Sequence, residues 1–451
     1  MEPNVTWPMV VGAVIAYYVT VVVYRLSLHP LARFPGPKLA AISRWYEAYY
    51  DVLQGGQYTS KIAELHKLYG PIIGISPYEL HVIDPGFFET LYCMEGRWDK
   101  YGWTYDAFGA KGSTVFGSDK LCQRISTLEG ATSNLGAAVS AFSRDSANKY
   151  IMGKEYNELD LEDFGIGLSI ASQGAGVFWH TTKHVADEGT KAFLRYVQQY
   201  ERDSMDILAA AMSSSPDNKI QNTIIYEIVR SNPPPTEKAF HRVHEEVATV
   251  TGAAYETTAN TMRLILYHVY TNDEIIRRLR EEIASITTEA SEPIALRKLE
   301  KLPYLRAVLM EGIRLSPGIA TRAARLTNTD LFYGDWRIPA GTPVGMTTLL
   351  MHTNEELYPN PMRFDPDRWM NATAQATGGA NFAPFSRGMR ICLGMYLAWA
   401  EMYQLVPALI QRYNFKVEGA TAADFELERD NFAIGTKAGC NSMAHVTPFQ
   451  G

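Results

Sequence analysis

The residue best placed to do chemistry is Cys392, in the segment Phe385-Ser-Arg-Gly-Met-Arg-Ile-Cys-Leu-Gly394 just before a long apolar stretch. A thiolate at such a position is stabilised by backbone N–H groups and by the N-terminus of the helix that follows. Gly388 and Gly394 allow the backbone to come close to a flat cofactor. A lone cysteine is more often an inert buried thiol, but these neighbours favour a metal ligand.

A second group of candidate functional residues interrupts an apolar helical stretch at Thr251-Gly-Ala-Ala-Tyr-Glu-Thr-Thr258. Two small residues, Ala253 and Ala254, are followed here by the acid Glu256 and the hydroxyl of Thr257. The alternative is an ordinary helix in which Thr257 bonds back to a backbone carbonyl and Glu256 faces solvent. The break in the pattern indicates a functional reason for these four residues.

A third motif pairs an acid with a base on one face of a helix. Glu311 and Arg314 are three residues apart, which brings their side chains close enough to pair, and both precede Cys392. Between them and the cysteine lies Phe364-Asp-Pro-Asp-Arg-Trp369, which contains Arg368. Taken alone, such a pair is usually a surface salt bridge of small energetic value. The order of the three segments along the chain is more informative than any one of them.

The segment around Cys392 agrees at every fixed position with the F-x-x-G-x-R-x-C-x-G haem-binding signature, so the chain resembles the cytochrome P-450 family. The resemblance implies that the Cys392 thiolate is the axial ligand of the iron of haem b. It also implies that Arg390 pairs with a haem propionate, and that Phe385 and Gly394 belong to the haem-binding loop. The alternative for Arg390 is a solvated surface charge.

The other two motifs occur in the same order in that family and take their roles from it. The resemblance implies that Glu256 and Thr257 relay protons to dioxygen bound beside the small residues of the helix. It implies that Glu311, Arg314 and Arg368 form a structural triad on the proximal side of the haem.

The same resemblance assigns residues in the turn that follows Arg314. It favours Arg325 over Arg322 as a further propionate contact, with Gly318 to Thr321 lining the substrate pocket. Arg322 is then interpreted as a surface charge. His352 is interpreted as structural, and the remaining cysteines, 93, 122 and 440, as buried thiols.

One stretch, residues 118–134, departs from the family pattern. Where the family has a helix rich in Arg and His that holds the haem propionates, this chain offers Arg124 as the basic candidate, and Gly130 and Gly136 lower the helix propensity. Three explanations stay open: a lineage with a different clamp, an imperfect gene prediction, or a degenerate non-catalytic haem protein.

The periodicity of apolar residues predicts a mainly α fold with small β-sheets, here the cytochrome P-450 fold preceded by one N-terminal transmembrane helix. The predicted helices are 61–69, 192–212, 237–270, 273–287, 305–315 and 393–413. The predicted strands are 72–75, 80–83, 331–338, bent as a hairpin at Gly334-Asp335, and 344–347.

The chain begins with an uncharged apolar stretch from Trp7 to Tyr24, long enough to span a membrane. A cleaved signal peptide is the alternative, but the positive charges follow the stretch, as Arg25 and Arg33. We expect a single-pass anchor in the endoplasmic reticulum membrane with the catalytic domain in the cytosol. The predicted division is 1–26 anchor, 27–40 proline-rich joint and 41–451 haem-binding monooxygenase domain.

Composition narrows the possible partners. The net charge of -7, with no basic cluster, argues against nucleic acid. Because the chain carries no P-loop and no GxGxxG fingerprint after a strand, NADPH and flavins are expected on a separate reductase, with cytochrome b5 as a second candidate donor.

The predicted function is oxidation of a lipophilic small molecule, such as a terpenoid or polyketide, in fungal specialised metabolism. The loops 103–116 and 432–434 are expected to line the pocket because they are apolar and aromatic. A haem-dependent isomerase or dehydratase and a non-catalytic haem protein are the alternatives.

Overall fold

The structure is a computed structural model, and the described part of the chain comprises residues 7–93, 98–100, 118–154, 156–170, 188–213, 218–221, 223–231, 234–287, 294–371, 379, 381–439 and 441–449. Within these ranges the chain is mainly helical with small β-sheets, which confirms the predicted fold class.

The α-helices lie in the following order along the described residues: α1 Trp7–Val23, α2 Lys38–Ile42, α3 Trp45–Ala48, α4 Tyr58–Tyr69, α5 Phe88–Leu91, α6 Ser118–Ser126, α7 Leu135–Met152, α8 Glu188–Ala211, α9 Asn218–Gln221, α10 Ile224–Arg230, α11 Phe240–Tyr270, α12 Asp273–Ala284, α13 Leu296–Leu299, α14 Pro303–Leu315, α15 Thr348–His352 and α16 Met395–Arg412.

The β-strands are short: β1 Ile72–Gly74, β2 Leu80–Val82, β3 Trp98–Lys100, β4 Thr132–Asn134, β5 Arg325–Thr327, β6 Leu331–Tyr333, β7 Trp336–Ile338, β8 Val344–Gly345, β9 Tyr413–Val417, β10 Arg429–Asn431, β11 Ala433–Gly435 and β12 Met443–Pro448. They form a five-stranded sheet in the order β1-β2-β8-β5-β3, a three-stranded sheet in the order β4-β12-β9, and the pairs β6-β7 and β10-β11.

The chain divides into two compact units. The first comprises Met1–Thr104, Thr321–Met351 and Arg387–Arg390, and it contains the five-stranded sheet and the β6-β7 hairpin. The second comprises Tyr105–Ala320, His352–Ser386 and Ile391–Gly451, and it contains the long helices and the other two sheets. The predicted division into anchor, joint and catalytic domain is a different partition and stays a prediction.

Helix α11 is the central helix of the second unit. It begins at Phe240, after a 3-10 turn at Pro235–Lys238, because proline fixes the backbone and lacks an N–H to continue a helix backwards. Every residue from Thr258 to Leu266 is buried, and the helix packs against α7, α14 and α16. The Thr251–Thr258 motif lies just before this buried stretch, with Thr251, Tyr255, Glu256 and Thr258 buried.

The N-terminal helix α1 has no buried residue. Together with a π-helical turn it runs from Trp7 to Leu28, and it is the one helix among the described residues that is long and apolar enough to cross a membrane. A signal sequence would have the same properties, so the helix is weak evidence for an anchor.

Candidate active site

The loop that carries Cys392 leads directly into helix α16. The Cys392 side chain is exposed, and its backbone N–H donates a hydrogen bond of 2.8 Å to the carbonyl of Phe385. The Phe385 ring lies 6.2 Å from the ring of Trp399 on α16, which fixes the start of the loop to the helix. Gly394 accepts the first helical hydrogen bond, from Ala398, at 3.0 Å. The thiol therefore lies at the N-terminus of α16, as the sequence predicts.

The surroundings of Cys392 within its unit fit a flat apolar group. Ile391 and Leu393 on either side of it are exposed apolar residues, at 46% and 65% of their full surface. Large apolar side chains left exposed beside a thiol indicate a surface that a ligand covers. A thiolate flanked in this way fits haem-thiolate ligation.

Helix α11 also turns small residues towards open space. Gly252 and Ala253 are exposed although Thr251, Tyr255 and Glu256 around them are buried. Among the described residues, no atom outside the local helix backbone lies within 4 Å of a β-carbon added at Gly252. The described part of the chain therefore leaves room for a small ligand beside Gly252.

The two polar residues of the same motif have different environments. The Thr257 hydroxyl donates a hydrogen bond of 2.8 Å to the carbonyl of Ala253, the local bond named above as the alternative reading. Glu256 does not face solvent: it is buried and paired at 2.8 Å with Nη2 of Arg263. The expectation that an ordinary helix would leave Glu256 in solvent is thus wrong for this chain.

Two loops meet next to Thr257. Gly318 has a φ of +78°, and a β-carbon there would lie 3.0 Å from Cβ of Thr257. Its carbonyl accepts from the N–H of Ile434 at 3.2 Å, while Phe432 accepts from Ala320 at 2.9 Å. The predicted pocket segments Gly318 to Thr321 and 432–434 are therefore brought together from Gly318 to Ala320, beside the motif in α11.

The third motif, Glu311 and Arg314, forms a buried ion-pair cluster. Arg314 makes two hydrogen bonds to the carboxylate of Glu311, at 2.9 and 2.8 Å, and both side chains are fully buried. Arg368 reaches the same carboxylate at 3.4 Å, and the indole N–H of Trp369 donates to it at 2.8 Å. Glu311, Arg314 and Arg368 thus lie together. Asp367, which takes the place of the family's usual Glu, pairs instead with Arg278 at 2.8 Å.

His352 connects this cluster to the segment before the cysteine loop. One ring nitrogen, Nδ1, lies 3.2 Å from the carbonyl of Arg314, and the other accepts from the N–H of Ala383 at 3.1 Å. Because Ala383 donates to Nε2, the proton of the neutral ring is on Nδ1. Burial, reinforced by the charge of Arg314, lowers the pKa of His352 to about 3. The ring is therefore a neutral structural bridge.

The remaining predicted basic residues lie in the first unit. Arg325 is buried, donates to the carbonyl of Ala323 at 2.8 Å and stacks 4.9 Å above the ring of Tyr92. Arg390 is half-buried at the end of the turn Gly388–Arg390. Their roles as propionate contacts stay predictions.

The interpretation of Arg322 as a surface charge is wrong. Its guanidinium is buried, donates at 2.8 Å to Glu79 and also pairs with Glu47. Burial alone would lower the pKa of Arg322, but the two carboxylates outweigh burial and raise it. The sequence offered no signal for this pairing, because both acids lie more than two hundred residues away along the chain.

Gly388 of the signature has a structural reason of its own. Its φ is +71°, and a β-carbon would come within 2.3 Å of the Cys93 carbonyl oxygen. Residues that have a β-carbon rarely adopt this φ. The Cys93 carbonyl oxygen belongs to the backbone, so it could move away from a β-carbon only if the chain itself shifted. Within its unit, glycine at this position is explained by the approach of the turn to the chain at Cys93.

Three further residues singled out in the sequence analysis, two cysteines and Arg124, can be compared with the structure. Cys122 is buried, as expected, whereas Cys93 is only partly buried. Arg124 lies in the last turn of α6 and donates a hydrogen bond to the Thr127 hydroxyl at 2.8 Å. The predicted pocket loop 103–116 and the cysteine at 440 lie outside the described residues.

Comparison with known proteins identifies the class. The family model for cytochrome P-450 matches residues 118–439. Tryptophan 6-hydroxylase fscE of Fusarium equiseti is 30% identical over 478 aligned residues, covering 93% of this chain and 94% of fscE. N-acetyltryptophan 6-hydroxylase ivoC of Emericella nidulans is 31% identical over 495, covering 97% and 96%. The cytochrome P-450 monooxygenase sdnE of Sordaria araneosa is 30% identical, covering 92% and 93%.

Solved structures show the same fold. A zebra fish cytochrome P-450 with abiraterone superposes with a TM-score of 0.68 at 18% identity, covering 87% of this chain and 99% of that chain. A retinoic acid-bound cyanobacterial protein gives 0.70 at 17%, covering 89% and 96%.

The chain belongs to the cytochrome P-450 family of haem-thiolate enzymes. Within it, the chain is a monooxygenase of the type found in fungal specialised metabolism.

Proposed function

We propose that this protein oxidises a lipophilic small molecule with dioxygen, with Cys392 as the axial ligand of the haem iron. The observation that carries the proposal is the exposed Cys392 thiol at the N-terminus of α16, flanked by Ile391 and Leu393. Phe385, whose carbonyl bonds the Cys392 N–H, and Gly394, which starts the helix, hold the loop in place. Arg390 and Arg325 would pair with the propionates. The haem supplies the iron at which dioxygen is bound and reduced.

The protein's own contribution to the chemistry is the positioning of protons. Thr257 lies beside Gly318, on the part of α11 next to the exposed Gly252 and Ala253. Its hydroxyl can turn from the Ala253 carbonyl to a ligand, because the bond it now makes is a weak local one. Glu256, the preceding residue, is the acid that resupplies the hydroxyl. We assign these two residues to proton delivery.

Electrons would come from NADPH through a separate flavin-containing reductase, with cytochrome b5 as a second donor. Arg387 and Arg390 are the basic residues proposed to dock it. Arg387 is paired with Glu89, both in the first unit. A pair of this kind at a rim contributes mainly to the rate of association and its salt dependence.

The substrate is proposed to be lipophilic, and the step a tailoring reaction of specialised metabolism. The described loop 432–434 supports an apolar pocket wall. Terpenoids and polyketides are therefore the first class to test. The names of two relatives, hydroxylases of tryptophan and N-acetyltryptophan, add indole amino acids as a second class.

The helix Trp7–Leu28 supports a single-pass anchor, and Arg25 after its first part supports a cytosolic catalytic domain. We propose the endoplasmic reticulum membrane as the location, with 27–40 as the joint and 41–451 as the monooxygenase domain.

Isotope incorporation tests the proposed reaction. Membranes with the protein and a fungal reductase are incubated with NADPH, ¹⁸O₂ and each compound class, and products are analysed by mass spectrometry. The expected result is one labelled oxygen atom per product, absent in Cys392→Ala and retained in Cys93→Ala. Products without label would favour an isomerase or dehydratase, and no product from a haem-loaded protein would contradict the proposed substrate classes.

A further inference from the structure

Helix α11 carries a buried arginine, Arg263, one turn and a half beyond the motif that ends at Thr258. Glu256, Asn260 and Arg263 follow one another at spacings of four and three residues, so they lie on one face of the helix. All three are buried. Arg263 donates through Nη2 to Glu256 at 2.8 Å and also to the amide oxygen of Asn260. The carboxylate is thus tied to the C-terminal side of its own helix.

This direction is opposite to the one that helix geometry favours. Helical side chains lean towards the N-terminus of their helix, which for Glu256 is the turn of Gly252. At Gly252, no atom of the described residues outside the local helix backbone lies within 4 Å of an added β-carbon. The Glu256 side chain could therefore also point towards Gly252. The hydrogen bond from Arg263 keeps the carboxylate on the C-terminal side instead.

The surrounding charges balance this pair. Arg144 of α7 has Nη1 at 3.9 Å from the other oxygen of Glu256, and it is paired with Glu158. Arg263 is further bonded to Ser140 of α7. Two buried arginines thus face two buried carboxylates. Buried charges need partners of opposite sign, because burial removes their hydration.

Asn260 extends the arrangement to the pocket loop. Its amide nitrogen donates at 2.8 Å to the carbonyl of Ile434, and the Ile434 N–H in turn donates to Gly318, which packs on Thr257. A hydrogen-bonded path therefore runs from the carboxylate of Glu256, through Arg263 and Asn260, to the loop beside the Thr257 side chain.

We propose that Arg263 is a positioning residue for proton delivery, which holds Glu256 as a carboxylate turned towards α7, and that Asn260 fastens Arg263 to the loop 432–434. The proposal rests on the proposed function, in which Glu256 is the acid that resupplies Thr257. Arg263 does not touch the reacting atoms. It sets where the carboxylate waits and how readily it reaches the Gly252 side.

Infrared spectroscopy tests the positioning directly, without turnover. We expect Arg263→Met to leave Glu256 without its hydrogen-bonded cation, so that the difference spectrum, variant minus wild type, shows one added protonated carboxyl band. The buried acid Glu401 contributes equally to both proteins and cancels in the difference. The band must disappear in Glu256→Gln/Arg263→Met. Arg263→Lys, which keeps the charge, should not show it. Arg280→Met is the matched control, because Arg280 is partly buried on α12, donates hydrogen bonds to Ile410, Tyr413 and Asn414, and stacks on the ring of Phe449.

Turnover supplies the second readout. In Arg263→Met the fraction of NADPH electrons recovered in product rather than hydrogen peroxide should fall by about tenfold, less than the roughly 10²- to 10⁴-fold attributed to a general acid itself. In the Glu256→Gln background the same substitution should change nothing further. Asn260→Ala should give a smaller loss in the same direction.

The outcomes separate this inference from the proposed function. The positioning role would be overturned if folded Arg263→Met showed no added protonated carboxyl band. It would also be overturned if Arg263→Met lowered the recovery of electrons in product equally with Glu256 present and in the Glu256→Gln background. If Arg263→Met does not fold, Asn260→Ala decides, and unchanged electron recovery in that variant would overturn the proposal. Loss of haem ligation by Cys392 would instead refute the proposed function, and it would leave the infrared result standing.

Discussion

Glu401 is a buried acid that the proposed mechanism does not use. It lies on α16, nine positions after Cys392, and is fully buried. Neither carboxylate oxygen has a hydrogen-bond partner among the described residues. Burial raises the pKa of Glu401 well above its usual range. A carboxyl in this environment is more stable as the neutral acid.

We expect Glu401→Met to stabilise the protein at pH 7 by about 1–3 kcal/mol, the cost of a buried polar group without a partner. The sign follows from the raised pKa. Below the ordinary glutamate pKa the acid is protonated in both the folded and the unfolded state, so its ionisation does not change the free energy of unfolding. As the pH rises, the unfolded chain ionises first, so folding becomes less favourable.

The measurement is denaturant unfolding of wild type and Glu401→Met between pH 5 and pH 8. The stability difference should grow with pH. Glu300→Met, at an exposed position, is the control and should show no trend. A destabilised Glu401→Met at every pH would mean that the carboxyl has a partner after all.

At the scale of residues, the sequence predicted the surroundings of residues that stand in local motifs. It did not predict the surroundings of residues whose partners are distant along the chain. Cys392 and the pair Glu311 and Arg314 stand in fixed local patterns, so their neighbourhoods could be anticipated. Arg322 depends on acids far away in sequence, and its burial could not. Arg263 had a weak signal, namely a cation on an apolar helix at seven residues from Glu256.

At the scale of elements, helices α11 and α14 approach each other closely at Gly312. A β-carbon at Gly312 would lie 2.1 Å from Cγ1 of Ile265, which is itself buried. Glycine at this position lets α14 approach α11 and brings Glu311 and Arg314 into the interior. The contact thus links the triad to the helix that carries Glu256.

We expect Gly312→Ala to lower the free energy of unfolding by roughly 1–3 kcal/mol through overpacking. In an Ile265→Ala background, where the obstructing atoms are gone, the same substitution should cost much less. Denaturant unfolding of the four proteins of this cycle measures the coupling. Equal costs in the two backgrounds would contradict the close approach.

The bounds of the elements show what periodicity can predict. Most of the long helices were predicted within a few residues, but α7, Leu135–Met152, was not predicted. The hairpin at Gly334 was predicted in place, as β6 and β7. Helix α11 starts three residues later than expected because the 3-10 turn Pro235–Lys238 precedes it. Short strands such as β4 and β5 pair with distant partners and had no local signal.

At the scale of the whole molecule, the chain is shorter than its alignments. The alignments with fscE and ivoC run over 478 and 495 residues, more than the 451 in this chain, so those relatives contain residues without a counterpart here. The family match begins at 118, where the stretch that departs from the family pattern also begins. The described part of that stretch is helix α6, a turn at Gly130, β4 and the start of α7.

Reductase docking is a property of the whole molecule that one charge can test. Reversal of charge in Arg387→Glu should raise the reductase concentration needed for half-maximal turnover by about fivefold, as expected for roughly 1 kcal/mol from one rim charge. Glu89→Gln, which removes the partner but keeps the arginine, should not raise it. Reductase titration at two salt concentrations measures both variants. Unchanged turnover in Arg387→Glu would refute docking at this residue.

The central claim is that Cys392 binds a haem iron, and the reduced carbon-monoxide difference spectrum of the membrane-expressed protein tests it most directly. The account predicts a Soret band at the position typical of thiolate-ligated haem, lost in Cys392→Ala and kept in Cys93→Ala. No such band in the folded wild-type protein, or a band that survives in Cys392→Ala, would contradict the account.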